Sequence, residues 1–156
     1  MDDVKYRFIE GFADGYARFG QSRLMGRIMA VLLLSPEPMS LDDITKELGM
    51  SKGPVSSEAR KLEMLETVEK TVGRGSKRIY YQPVADSFAA ALIRNLALMG
   101  KNRDIAREFL DKADPDRIDP LAVKRVKEME RFYQQLITRV NGFLEDWSAG
   151  RSGEPQ

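Results

Sequence analysis

The strongest constraint on the fold is a change of apolar period near residue 67. Before it, apolar residues recur at helical spacing; from Thr67 to Gln82 they alternate, as in half-buried strands. Thr67-Val68-Glu69-Lys70-Thr71-Val72 and Lys77-Arg78-Ile79-Tyr80-Tyr81-Gln82 are rich in β-branched and aromatic residues, with the glycine-punctuated Gly73-Arg74-Gly75-Ser76 between them. The pattern predicts a β-hairpin closed by Pro83. Its tip carries Arg74, Ser76, Lys77 and Arg78, Lys70 lies on the approach, and no acid follows Glu69.

Two short helices are expected just ahead of this hairpin. Ser40-Leu41-Asp42-Asp43 opens the first, with Ser40 as cap, Asp43 as its reciprocal partner, and Leu41, Ile44 and Leu48 as the apolar stripe. Gly49 stops it, and Ser51 caps the next after a very short turn. Along that next helix Val55, Ala59 and Leu62 share one face. The opposite face carries Gly53, Ser57, Arg60 and Lys61, with Ser56 at its edge and Lys52 in the first turn. Pro54 falls in the first turn, where a missing N–H costs little.

The flanks read as helices. Val4, Phe8, Phe12 and Phe19, with Ile9 and Tyr16, predict an aromatic-faced helix stopped by Gly20. Ser22 caps a second, whose buried side is Leu24, Ile28, Val31 and Leu32 and which must end before Pro36. Residues 84–112 predict a helix with an irregularity near Gly100. After the connector Asp114–Pro120, Asp119 caps a long last helix running from Leu121 to Trp147, and 151–156 form a polar tail.

Composition narrows the chemistry. The chain has neither cysteine nor histidine, which removes thiolate nucleophiles, histidine proton transfer and every Cys- or His-ligated metal site. No phosphate-binding glycine loop appears, so no cofactor is expected and an enzyme is disfavoured. No apolar run approaches the roughly 20 residues that span a bilayer, and Met1-Asp2-Asp3 does not resemble a signal peptide. A cytoplasmic, nucleoid-associated protein without membrane contact is therefore expected. Charge is balanced, 25 Lys+Arg against 24 Asp+Glu, so the argument for a polyanionic partner rests on how the cations are grouped.

Helix, helix, turn, helix, hairpin is the order of a winged helix-turn-helix. The expected fold is mainly α, with a two-stranded β wing flanked by N- and C-terminal dimerisation helices. The expected divisions are 1–20 (dimerisation helix), 21–83 (DNA-binding winged helix), 84–150 (helical dimerisation region) and 151–156 (flexible tail). The candidate contacts to double-stranded DNA are Ser51, Lys52, Gly53, Ser56, Ser57, Arg60, Lys61, Lys70, Arg74, Ser76, Lys77 and Arg78. Ser51 and the N–H groups behind it suit a phosphate oxygen, while Lys52, Ser56, Ser57 and Arg60 reach toward major-groove base edges. The wing would lie along the minor groove. Taken singly, a polar helix face or a basic hairpin is most often merely solvated; their conjunction in this order favours DNA. The alternative is a winged helix used for protein–protein assembly. The long last helix and the aromatic first one read as a homodimer seam, or as an intramolecular helical pair. A dimer would set two recognition helices about 34 Å apart, on successive major grooves.

The run Gly20-Gln21-Ser22-Arg23-Leu24-Met25-Gly26-Arg27-Ile28, then Leu32 to Ile44, then Glu47-Leu48-Gly49-Met50-Ser51-Lys52-Gly53, Val55-Ser56 and the pattern from Gly75 to Tyr81 resemble the MarR-type winged-helix regulators of the GbsR branch. The resemblance is specific from Gly20 to Tyr81 and architectural elsewhere. It implies a dimeric transcriptional regulator, often a repressor, on a palindromic operator, with Ser51, Lys52, Ser56, Ser57, Arg60 and the wing facing DNA. Three features depart from the pattern: Pro54, the small Ala59, and Leu65-Glu66-Thr67, which lacks the usual glycine. The best-known members respond to choline. Phe8, Phe12, Tyr16, Phe19, Phe132, Tyr133, Phe143 and Trp147 can supply an aromatic cage for such a quaternary ammonium effector, although core packing accounts for them more simply.

Overall fold

The computed structural model describes residues 2–73, 78–114 and 116–151. Its elements run α1 (Asp3–Arg18), α2 (Arg23–Leu34), β1 (Met39–Ser40), α3 (Leu41–Leu48), α4 (Lys52–Met64), β2 (Val68–Val72), β3 (Ile79–Pro83), α5 (Ser87–Lys112) and α6 (Pro120–Arg151). The chain divides into two compact units, residues 1–91 and 92–156. No helix among the described residues is long and apolar enough to cross a membrane.

In the first unit α2 is the central post. Met25, Ile28, Met29 and Leu32 pack with Ile44 of α3, Val55, Ala59 and Leu62 of α4, Val68 of β2 and Tyr81 of β3. Ala30 and Val31, on its other side, pack with Ile9 of α1. A helix apolar on nearly every side has to be buried. Phe12 and Tyr16 of α1 pack against the α2 core. The first helix is thus part of the winged unit's packing. Leu24, expected inside, is only partly buried, and Met25 and Met29 take the interior instead.

Close approach of α1 to α2 depends on Gly26. A Cβ built there would lie 2.7 Å from the Ala13 Cα and 2.8 Å from the Phe12 carbonyl oxygen, both backbone atoms. A charged clamp closes the same crossing. Arg27 Nη2 donates to Glu10 Oε2 at 3.0 Å, its Nε lies 2.8 Å from Oε1 as an ion-pair contact, and Arg23 Nη2 adds a second hydrogen bond to Oε2 at 2.8 Å. Arg23 also pairs with Asp14. Hydrogen bonding from Arg27 holds the Glu10 carboxyl below the usual carboxylate range, against the opposing pull of partial burial.

The sheet has three antiparallel strands in the order β1-β3-β2. The wing strands pair from Val68 with Pro83 to Val72 with Ile79. The third strand, β1, was not expected: Met39 and Ser40 pair with Tyr81 and Tyr80. Two residues carry no readable period, and Ser40 serves both as strand and as the cap of α3. The capping box is formed, with Ser40 Oγ accepting from the Asp43 N–H and the Asp43 carboxylate accepting from the Ser40 N–H.

Three helix ends share one geometry, in which a residue at positive φ turns the chain and the next N–H reaches back to a carbonyl five residues earlier. At α1 the turning residue is Gly20 (φ 74°), with Gln21 N bonded to Tyr16 O. At α3 it is Gly49 (φ 62°), with Met50 N bonded to Thr45 O. At α4 it is Glu66 (φ 55°), with Thr67 N bonded to Leu62 O. The glycine missing from Leu65-Glu66-Thr67 is therefore missing from a position that still adopts the left-handed turn.

In the second unit α5 and α6 are joined by polar bonds, Arg107 to Glu130 at 2.7 Å and Asn102 to the Tyr133 hydroxyl at 3.1 Å. The connector caps α6 as expected, Leu121 N donating to Asp119 Oδ1 at 2.7 Å. The expected irregularity near Gly100 is absent, and α5 is continuous through it. An interior glycine costs a helix only about 1 kcal/mol and keeps its N–H, so good helix formers on both sides carry the helix past it. α5 also starts at Ser87 rather than near Val84, because Asp86 sits at φ 61°.

Three outcomes are expected in unfolding experiments. Gly26→Ala should destabilise by about 1–3 kcal/mol in denaturant titration, since backbone must shift to admit the methyl. Glu66→Gly should raise stability by up to about 1 kcal/mol, because relief of the left-handed cost exceeds the added chain entropy. The Glu10 clamp contributes fully above the unfolded glutamate pKa of about 4.3 and is lost as pH falls through the lower folded value. Glu10→Gln should therefore flatten the acid limb of stability against pH below about pH 4.

Candidate nucleic-acid interface

The inner face of α4 is fixed by Val55, Ala59 and Leu62, each fully buried. That burial turns Lys52, Gly53, Ser57, Arg60 and Lys61 outward, all exposed, with Ser56 half-buried at the edge as expected. α3 and the turn at Gly49 set the start of α4, giving the helix-turn-helix its geometry.

Ser51 takes the N-cap backbone conformation (φ −73°, ψ 152°), but its side chain makes no capping bond. This corrects the expectation that it caps, and Pro54 supplies the reason. Ser22 and Ser40 both accept from the N–H three residues on, Met25 and Asp43 respectively. The corresponding residue after Ser51 is Pro54, which has no N–H to give. The proline costs this helix its usual cap, and the Ser51 hydroxyl stays exposed at the helix start.

Four of the described cations on this surface, Lys52, Lys61, Lys70 and Arg78, are tied to acids. Lys52 Nζ bonds Asp42 Oδ1 at 2.7 Å, and Arg78 Nη2 bonds Asp42 Oδ2 at 3.0 Å. Arg78 Nη2 also donates to Ser40 Oγ at 3.0 Å. Ser40 Oγ in turn donates to Asp43 Oδ2 at 2.5 Å. Lys61 pairs with Glu58 at 2.8 Å, and Glu58 also accepts from Ser22 Oγ at 2.9 Å. Lys70 reaches across from β2 to Glu63 of α4 at 2.6 Å, with its ammonium 5.9 Å from the Tyr81 ring centroid. Arg60 Nη2 donates to Ser56 Oγ at 3.3 Å, one turn back.

These pairs displace two titrations. The Lys52 ammonium, and after it Arg78, holds the Asp42 carboxyl below its ordinary range. Glu63 holds the Lys70 ammonium charged above its own. Both groups stay charged throughout the physiological range.

Of the candidate contacts, Ser51, Lys52, Gly53, Ser56, Ser57, Arg60 and Lys61 lie together on or beside α4. Arg78 joins them through Asp42, and Lys70 through Glu63. Arg74, Ser76 and Lys77 lie outside the described residues. Sequence reasoning missed the acids Asp42, Glu58 and Glu63. The Glu58–Lys61 pair was readable as an i, i+3 spacing. The two bonds of Asp42 span 10 and 36 residues and had no local signal.

No family model matches the chain. The HTH-type transcriptional regulator MmpR5 of Mycobacterium tuberculosis is 28% identical over 151 residues, covering 94% of this chain and 88% of that protein. The HTH-type transcriptional repressor OpcR of Bacillus subtilis is 25% identical over 140 residues, covering 83% of this chain and 74% of the repressor. A crystal structure of a transcriptional regulator superposes with a TM-score of 0.75 at 24% identity, over 94% of this chain and 99% of that one. The chain has a winged-helix fold, and MmpR5 and OpcR are helix-turn-helix regulators of transcription.

Proposed function

We propose that the chain is a sequence-specific DNA-binding regulator of transcription, a repressor acting as a homodimer on a palindromic operator. The observation that carries this is the two-faced α4, with Val55, Ala59 and Leu62 buried and Ser51, Lys52, Gly53, Ser57, Arg60 and Lys61 outward. Its uncapped start directs N–H groups and the Ser51 hydroxyl at a phosphate, while Ser57 and Arg60 face base edges. The wing, with Lys70, Arg74, Ser76, Lys77 and Arg78, follows the backbone beside it. OpcR is a repressor, which supports that sign of regulation. The finer placing, in the GbsR branch of MarR-type regulators, rests on the resemblance between Gly20 and Tyr81.

The dimer reading rests on α6. Its 32 residues include none that is buried, and Phe132, Phe143 and Trp147 are 61%, 54% and 44% exposed. A stripe of large apolar side chains on that length of helix calls for an apolar partner. The effector expectation has different support. The close ring pairs run along single helices: Phe8 with Phe12, Phe12 with Tyr16, Phe132 with Tyr133 and Phe143 with Trp147. A cage needs faces converging on one cation, so the function proposed includes no quaternary ammonium effector.

Fluorescence anisotropy on duplex DNA from upstream of the chain's own gene, titrated with salt, tests the reading. Wild type should bind with a steep salt dependence and two chains per duplex by sedimentation. Arg74→Ala/Lys77→Ala/Arg78→Ala should lose most of that affinity and flatten the slope by about one unit per phosphate contact removed. Arg60→Ala should instead relax sequence preference, by roughly 1–3 kcal/mol at one base pair. Weak binding that ignores all these changes would point to a protein-assembly module.

A further inference from the structure

We infer that Asp42 is a positioning residue for the DNA-facing surface, orienting Lys52 and Arg78 together and making the surface selective at the expense of non-specific affinity. The inference rests on the DNA-binding reading above. Asp42 lies at the start of α3, Lys52 is the first residue of α4, and Arg78 stands just before β3. One carboxylate therefore ties the first helix of the helix-turn-helix, the start of the recognition helix and the base of the wing.

Stability does not account for this arrangement. The three side chains are 56%, 63% and 49% exposed, and exposed ion pairs contribute little to folding. What the carboxylate provides is orientation. Lysine carries its charge on a flexible four-carbon stem, and the bond to Asp42 uses one of three ammonium hydrogens. The others remain for a phosphate oxygen. The same Nη2 of Arg78 also donates to Ser40 Oγ, and Ser40 is buried and locked in the α3 capping box.

Asp42 also opposes DNA. Any phosphate drawn to Lys52 or Arg78 approaches a carboxylate that keeps its charge. Non-specific binding is almost wholly phosphate electrostatics, so there the repulsion has nothing to offset it. On a duplex whose phosphates match the preset spacing of the two cations, orientation gained offsets the repulsion. Asp42 lowers both affinities, and the non-specific one by more.

The test is Asp42→Asn, which keeps size and removes charge, measured by anisotropy on the upstream duplex and on a scrambled duplex of equal length. Affinity for the scrambled duplex should rise about three- to tenfold, with the salt slope steeper by about one unit. Affinity for the upstream duplex should rise less, so that the ratio of the two falls about threefold or more. In a Lys52→Met/Arg78→Met background the same change should leave the ratio where it stands, because nothing remains to be oriented. An equal change on both duplexes, or an undiminished loss of selectivity in that background, would overturn the proposal. Wild type without salt-dependent affinity for either duplex would sink the DNA-binding reading itself, and this inference with it. Should Asp42→Asn fail to fold, Asp42→Ser removes the same charge and is read the same way.

Discussion

Burial of α2 is the constraint from which the rest of the winged unit follows. Its twelve residues include Met25, Ile28, Met29, Ala30, Val31 and Leu32, all inside, so neighbours must cover it on several sides. α1 covers one side, at a distance that only Gly26 permits. α3, α4 and the sheet cover another through Ile44, Val55, Ala59, Leu62, Val68 and Tyr81. Because Val55, Ala59 and Leu62 are spent on this contact, the rotation of α4 about its own axis is fixed. The polar face cannot turn inward without exposing them. The orientation of the candidate DNA surface is thus a consequence of apolar packing and needs no electrostatic guidance.

Electrostatics enters one layer further out. Lys52 and Arg78 lean on Asp42, Lys61 on Glu58 and Lys70 on Glu63. Three acids thus offset much of the positive charge of the described cations on this surface. A lone cation field of this size would bind any duplex and slide along it. Cations already paired exchange one partner for another on binding, and the gain depends on how well the new partner is placed. Pairing of this kind fits the sequence-dependent binding proposed above.

Much of this was legible in the chain itself. Ser22, Ser40 and Asp119 sit where caps are required, Gly20 and Gly49 where helices end, and the apolar stripe of α4 gives its inner face. These are local signals, set by spacings of four residues or fewer. What stayed hidden is of two kinds. Some features depend on distant partners: β1 exists only because Tyr80 and Tyr81 lie beside it, and the role of Asp42 depends on residues 10 and 36 positions away. Others are local rules overridden by tertiary packing. Glu66 and Asp86 take left-handed backbone that sequence reading reserves for glycine, and Gly100 passes unnoticed inside α5.

Two departures from local rule fall together at the start of α4. α4 begins without its cap because Pro54 withholds the N–H that Ser51 needs, and Gly53 occupies its first turn. It ends on Glu66 in a turn that favours glycine. A missing cap alone costs about 1 kcal/mol, and each of these choices weakens the helix in isolation. α3, next to it and similar in role within the core, carries a complete capping box and a glycine stop. The difference between the two helices lies in what their ends face. At the start of α4 an absent cap leaves backbone donors and a hydroxyl exposed, and a small Gly53 lets another backbone come close. The departures at the start of α4 are what is expected if that end is shaped by the partner proposed for it, whereas Glu66 lies at the other end of the helix.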